Sequence, residues 1–207
     1  MVETSIVHFK SGKANESSGE IDIVESVNQA DNGDQMTSHT SHNCNMDAKR
    51  KQTGNTISKS CWNETDDNAG CRIAGPQNTS GESFNANGGD IYAVEWRDAG
   101  IRMWFFYRSS IPTDIPTDPA NTTAPDPSAW GRPLADFPNT NCDISSHFKN
   151  QSIIVDIDLC GQWAGSKATY KTEDSCPESC TDFVANNAAA FEKAYWQLGR
   201  FRVYKAD

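Results

Sequence analysis

Long apolar runs are absent: nothing in the 207 residues approaches the ~20 consecutive apolar residues of a membrane-spanning helix, so no helical span is expected. Basic residues are few, 18 Lys and Arg against 28 Asp and Glu, for a net charge of −10. That balance opposes partnership with nucleic acid or an anionic membrane, and is neutral toward an uncharged polysaccharide. Lys49-Arg50-Lys51 is the one basic run, too short for a nucleic-acid site and read as solvated. The chain has no phosphate-binding glycine loop, no nucleophile-elbow serine and no internal repeat. Its cysteines lack the paired C-x-x-C spacing or neighbouring His doublets of a zinc site, so no metal is expected. The opening Met1–Lys10 has neither the basic n-region nor the long apolar h-region of a signal peptide.

What is present points to an oxidising compartment. There are seven cysteines, Cys44, Cys61, Cys71, Cys142, Cys160, Cys176 and Cys180, and five Asn-x-Ser/Thr sequons, at Asn15, Asn63, Asn78, Asn121 and Asn150. Six bridged cysteines are expected, with one left over by the odd count. Cys61 with Cys71 is one plausible pair, and the remaining connectivity stays open. A composition that reads as secreted, in a chain without an export signal, implies that something is missing from its front. The length fits one domain with room for a sizeable core. The plentiful Gly, Asn, Ser and Thr suit a loop-rich β protein.

The chemistry centres on Gly19-Glu20-Ile21-Asp22-Ile23-Val24-Glu25. Alternation of β-branched and acidic residues predicts a strand with Glu20 and Asp22 on one face and Ile21 and Ile23 on the other. Strict alternation would turn Glu25 into the core, which is costly for an unpaired carboxylate. An extra residue at Ile23-Val24, a β-bulge, returns Glu25 to the acidic face. Two carboxyls about 5–5.5 Å apart serve a retaining glycosidase as nucleophile and acid/base. A third between them can raise the pKa of a neighbour. The bland alternative is a solvated acidic strand face.

Along the chain, residues 1–18 read as a disordered or divergent lead and 19–207 as one domain. Gln35–Ser41 has strand character and carries His39; His42 is expected on the surface. Asn43–Gly81 is a polar excursion too poor in apolar residues for its own core, so bridges would staple it. Asp90–Trp96 and Ile101–Tyr107 read as a hairpin turning at Arg97-Asp98-Ala99-Gly100. Ser109–Pro138 holds seven of the nine prolines and reads as a long surface loop containing Trp130. Ser152–Leu159 is an alternating strand, Thr181–Ala190 a helical turn or two, and Tyr195–Tyr204 a terminal strand.

The acidic stretch, with its extra residue, resembles the active-site signature of glycoside hydrolase family 16, in the form found in laminarinase-type fungal endo-1,3(4)-β-glucanases. Phe84-Asn85-Ala86-Asn87-Gly88-Gly89, the hairpin after it, Asn141-Cys142-Asp143, Ser146–Asn150 and the Ser152–Cys160 strand resemble the family too. The resemblance implies an all-β jelly-roll sandwich of two antiparallel sheets, of concanavalin A-like lectin/glucanase type, N-terminally truncated because only 18 residues precede the strand. It implies endo-acting, retaining hydrolysis of β-1,3- or mixed β-1,3/1,4-glucan by a secreted monomer without cofactor. Glu20 would be nucleophile, Asp22 the assisting carboxylate and Glu25 acid/base. His39 would hydrogen-bond the cluster and Trp96 would face the glucan, although aromatics on strands otherwise read as core. Trp130 is a candidate wall of the cleft. Trp104, Phe105 and Phe106 are taken as core. A non-catalytic β-glucan-binding remnant and a cell-wall glucan transglycosylase are the alternatives, and little activity is expected of the chain without its front strands.

Overall fold

The computed structural model describes residues 3–11, 18–28, 33–173 and 175–205. Among these residues nine strands follow in order: β1 (Glu3–Ser11), β2 (Glu20–Val27), β3 (Gln35–His39), β4 (Asn55–Thr56), β5 (Cys71–Ala74), β6 (Ile91–Arg97), β7 (Gly100–Phe106), β8 (Ala135–Pro138) and β9 (Gln151–Leu159). They form a six-stranded sheet, β4-β5-β3-β2-β1-β9, and a three-stranded sheet, β6-β7-β8, antiparallel throughout. This is the expected two-sheet, all-β architecture. Among the described residues no helix is long and apolar enough to cross a membrane.

The core lies between the sheets. Ile21, Met36 and Ile73 from the larger sheet meet Ile101, Met103 and Phe137 from the smaller, closed at one end by Ile144 and Phe148. Each set follows the period of two that a pleated strand imposes. Beyond this packed region an open trough continues between the sheets, lined by Val7, Phe9, Val24, Tyr92 and Ile157.

Three expectations change. Glu3–Ser11, read as part of a disordered or divergent lead, is ordered as a strand with a neighbour on each side, β2 and β9. Its Ile6-Val7-His8-Phe9-Lys10 run has the composition of a strand, and two neighbouring ladders satisfy its backbone. Tyr195–Tyr204 is irregular despite its alternation, tied by Trp196 Nε1 donating to the Asp156 carbonyl at 3.0 Å. Tyr195, Leu198, Phe201 and Val203 are exposed along it. Ala135–Pro138, at the end of the expected proline-rich loop, is strand β8. It stands at a sheet edge, where proline's missing N–H costs no ladder bond.

Three disulfides use six cysteines: Cys44–Cys142, Cys61–Cys71 as anticipated, and Cys160–Cys180. Cys176 packs half-buried beside the last of these. Cys44–Cys142 joins partners 98 residues apart and Cys61–Cys71 only 10. Loop-closure entropy values these at about 5 and about 3 kcal/mol. The Cys44→Ala/Cys142→Ala pair should therefore melt roughly 10 °C or more below the parent in calorimetry. A fall of less than about 3 °C would refute the value given to the longer loop.

Candidate active site

The ladder between β2 and β3 decides which side chains share a face. Glu20 stands opposite His39, Asp22 opposite Thr37 and Glu25 opposite Gln35. Residues 35, 37 and 39 alternate on one side of β3, so all three acids point to that side. Two residues step from Thr37 to Gln35 while three step from Asp22 to Glu25, which is the bulge expected at Ile23-Val24. On the other flank Val7 pairs Val24 and His8 pairs Asp22, leaving Ile23 as the extra residue. Ile21 and Ile23 go to the buried face.

Two glycines make room for this arrangement. A Cβ on Gly19 would lie 2.5 Å from the Phe148 ring and 2.8 Å from the His39 carbonyl oxygen. Gly70, at φ +65°, sits where a Cβ would meet Thr37 at 2.6 Å and His39 at 2.8 Å.

The acids differ sharply in their surroundings. Glu20 receives His8 Nδ1 on Oε1 at 2.6 Å and Lys10 Nζ on Oε2 at 2.8 Å. Burial alone would raise its pKa, but the bonds from His8 and Lys10 outweigh that and hold it at about 2. Asp22, with its side chain 1% exposed, lies between His39 Nε2 at 3.2 Å and His8 Nδ1 at 3.5 Å. Among the described residues no cation is in salt-bridge contact with Glu25. Burial, followed by the charge of Asp22, pushes it up to about 7, against weaker pulls from Arg72, His39 and Thr37. Ile6 stands directly opposite Glu25 in the β1 ladder and contributes to its dry surroundings. Burial works against protonation of His8, yet the bonds to Asp22 and Glu20 raise it to about 9. His39 is raised in the same way, burial opposing and Asp22 prevailing. One face thus holds an ionised carboxylate and a carboxylic acid that keeps its proton to near neutrality.

His8 Nδ1 and oxygens of Glu20 and Asp22 lie within 4.8 Å of one another, a spacing that suits a cation. Lys10 and the proton on His8 already supply positive charge there, so the set reads as an ion-pair network. Cys44, Cys142 and His147 also cluster, but both sulfurs are in a disulfide.

His39 Nε2 lies 3.2 Å from Asp22 Oδ2 and its Nδ1 3.0 Å from Asn68 Oδ1, on the face of the acids. The two tryptophans lie away from that face. Trp96 pairs with the buried Ile101 and so faces the core, packing on Phe9 at 6.1 Å and Phe148 at 6.4 Å. Phe9 is on the opposite face of β1 from His8, which separates Trp96 from the acids. Trp130 packs edge-on against Trp104 at 5.3 Å and Phe106 at 5.4 Å, its Nε1 donating to Asp114 Oδ1 at 2.9 Å, over the smaller sheet. His42 is exposed against Trp62.

The sequence reading missed His8 and Lys10. Their signal was cationic residues two apart, facing acidic residues two apart across a strand-like run. It also missed Arg72, in β5 opposite Thr37, whose charge reaches Glu25 and whose guanidinium lies 5.1 Å over the half-buried Trp163 ring. Trp163 therefore supplies an aromatic surface on the acid side that Trp96 does not.

Comparison with known proteins agrees with this geometry. Residues 8–204 match the XgeA-like catalytic GH16 domain. A probable glycosidase of Schizosaccharomyces pombe is 46% identical over 191 residues, which cover 90% of this chain and 44% of that protein. The endo-1,3(4)-β-glucanase xgeA of Emericella nidulans is 35% identical over 195 residues, 90% of this chain and 29% of its own. Among solved structures, the GH16 Laminarinase 16A of Phanerochaete chrysosporium, with β-glucans in donor and acceptor sites, gives a TM-score of 0.84 at 41% identity. An elongating GH family 16 β-1,3-glucosyltransferase gives 0.80 at 38%. Both alignments cover 94% of this chain and 64% of the other. The chain spans less than half the length of these curated relatives and under two thirds of the solved chains.

Proposed function

Because the chain belongs to glycoside hydrolase family 16, we propose that it carries endo-acting, retaining hydrolysis of β-1,3- or mixed β-1,3/1,4-glucan, with Glu20 as nucleophile, Glu25 as acid/base and Asp22 assisting between them. The observation that carries this reading is the opposed protonation of two carboxyls on one face, Glu20 held at about 2 and Glu25 at about 7. The glucans bound in the Phanerochaete chrysosporium laminarinase and the activity named for the Emericella nidulans relative support the substrate class.

In the first step a Glu20 oxygen attacks the anomeric carbon while Glu25 gives its proton to the departing glycosidic oxygen. The C–O bond breaks and a glycosyl ester forms on Glu20. In the second step Glu25, now ionised, takes a proton from water; the oxygen attacks the anomeric carbon and Glu20 leaves as carboxylate. The charge of Asp22 beside Glu25 favours the protonated form of Glu25 until the leaving oxygen needs the proton. His8, buried, retains one Glu20 oxygen in place, and the half-exposed Lys10 is the partner that gives way to the sugar. The chemistry calls for no metal or organic cofactor.

A transglycosylase would use the same first step and a second glucan in place of water, a reading favoured by the likeness to the glucosyltransferase. Secretion belongs to the proposal too, since three disulfides fit an oxidising compartment and sequon residues Asn63, Asn121 and Asn150 are exposed. Asn78 is half-buried, and Asn15 lies outside the described residues.

The test assays laminarin and lichenan for new reducing ends and for lengthened oligosaccharides. It uses this chain and a chimera joining it to the preceding strands of a laminarinase. Reducing ends are expected, more from the chimera, whose added strands would fill the open trough. Lengthened products without new reducing ends would select transglycosylation. Glucan retention with no product from either protein would leave only a binding remnant.

A further inference from the structure

Asp34, immediately before β3, is fully buried. Its backbone is locked on both sides: its N–H donates to Thr79 Oγ1 at 2.9 Å and its carbonyl accepts from the Gly75 N–H at 2.8 Å. Its side chain is turned toward the bulge. Oδ1 accepts the backbone N–H of Glu25 at 2.7 Å, the residue at which the three-for-two step of the β2–β3 ladder ends. Oδ2 is buried and, as a bare oxygen, finds no hydrogen-bond partner of good geometry. The polar group beside the carboxyl is the Tyr92 hydroxyl, from β6 of the other sheet, which donates its own proton to the Thr79 carbonyl. With its proton on the Thr79 carbonyl, Tyr92 is left as an acceptor for a protonated Asp34 carboxyl.

We propose that Asp34 is the positioning residue of Glu25: as a neutral acid bridging the bulge to Tyr92 of the second sheet, it fixes the backbone from which the acid/base side chain enters the cleft. The role rests on the assignment of Glu25 made above. A bulge frees its strand to re-aim a side chain, and a buried side-chain acceptor on the freed N–H sets the aim. Burial, with the nearby Glu25 charge adding to it, raises Asp34 well above the ordinary carboxyl range against the opposing pulls of the Glu25 N–H, the Tyr92 hydroxyl and the Gln35 backbone, in keeping with a neutral form. The titratable groups around the pair are Tyr92, with Asp90 acting on it, and on the Glu25 side Asp22, Arg72 and His39.

The test compares Asp34→Asn, which keeps the oxygen acceptor and offers Tyr92 a donor, with Asp34→Ala, which offers neither. The first readout is the Glu25 carboxyl titration by carbon-detected NMR of this chain. It needs no substrate, so a failure of glucan hydrolysis would leave it standing. Asp34→Asn should keep Glu25 near its parent midpoint, and Asp34→Ala should drop it toward that of an ordinary glutamate. In glucan turnover Asp34→Ala should lose about 10–100-fold in kcat with little change in KM, as a misplaced catalytic group does, and Asp34→Asn should rescue it. A Glu25 midpoint that falls in Asp34→Asn would show that Asp34 acted as a charge and overturn the proposal. So would an unmoved midpoint in Asp34→Ala. Should the alanine variant not fold, the asparagine titration alone decides.

Discussion

Glucan hydrolysis by Glu20→Gln is expected to fall by about 10⁴-fold or more, a loss of roughly 5.5 kcal/mol of transition-state stabilisation. An amide oxygen is a poor nucleophile toward an anomeric carbon, so the covalent route closes. The substitution also disturbs the site in a second way. Glu20 faces two cationic donors, His8 and Lys10, and the neutral amide can satisfy only one of them through its oxygen. His8 would then lose much of what holds its pKa at about 9. A loss of rate alone would not separate chemistry from this disturbance. The separating measurement is a slow fluorinated glucosyl substrate followed by peptide mass spectrometry, with the adduct expected on Glu20 of the unsubstituted protein. An adduct on another carboxyl, or full activity of Glu20→Gln, would sink the assignment.

Glu25→Gln should cost about 10²–10⁴-fold on glucan, the usual worth of positioned general acid catalysis, and far less on an aryl glucoside whose leaving group needs no proton. The pH profile should change with it. In the parent, the first step needs Glu25 protonated, and burial with the Asp22 charge places its midpoint at about 7 against an ordinary 4.5. The rate should therefore decline as pH rises through about 7, while Glu20, at about 2, stays ionised across the mildly acidic range. In Glu25→Gln that alkaline decline should vanish. Stability follows the same sign. A carboxyl raised on folding contributes stability that is present below its unfolded value and lost as pH climbs through the folded one. The parent should thus lose some stability between about pH 5 and 8 that the glutamine variant keeps. An alkaline limb that persists unchanged in Glu25→Gln would assign it to another group.

The phase of β2 was determined by its own residues. Ile21 and Ile23 alternate with Glu20 and Asp22, and a carboxylate at Glu25 could reach the same face only through an extra residue, which the ladder contains. The β6–β7 hairpin, β9 and the Cys61–Cys71 bridge were also legible, because each depends on side-chain period or short separation. Partners distant in the chain decided the rest. β1 reads as a strand once β9, from far along the sequence, supplies its second ladder, and only that register brings His8 and Lys10 onto Glu20. Tyr195–Tyr204 has a strand's alternation without a ladder in this structure, since a strand is completed by its neighbour's hydrogen bonds and not by its own pattern. Trp96 was placed toward the glucan by resemblance, but the side of the sheet it faces follows from its pairing with Ile101. Nothing in the residues beside Asp34 marks it as buried. Its burial depends on Thr79 and Tyr92, and protonation follows burial, because the cost of a charge is set by everything packed around it.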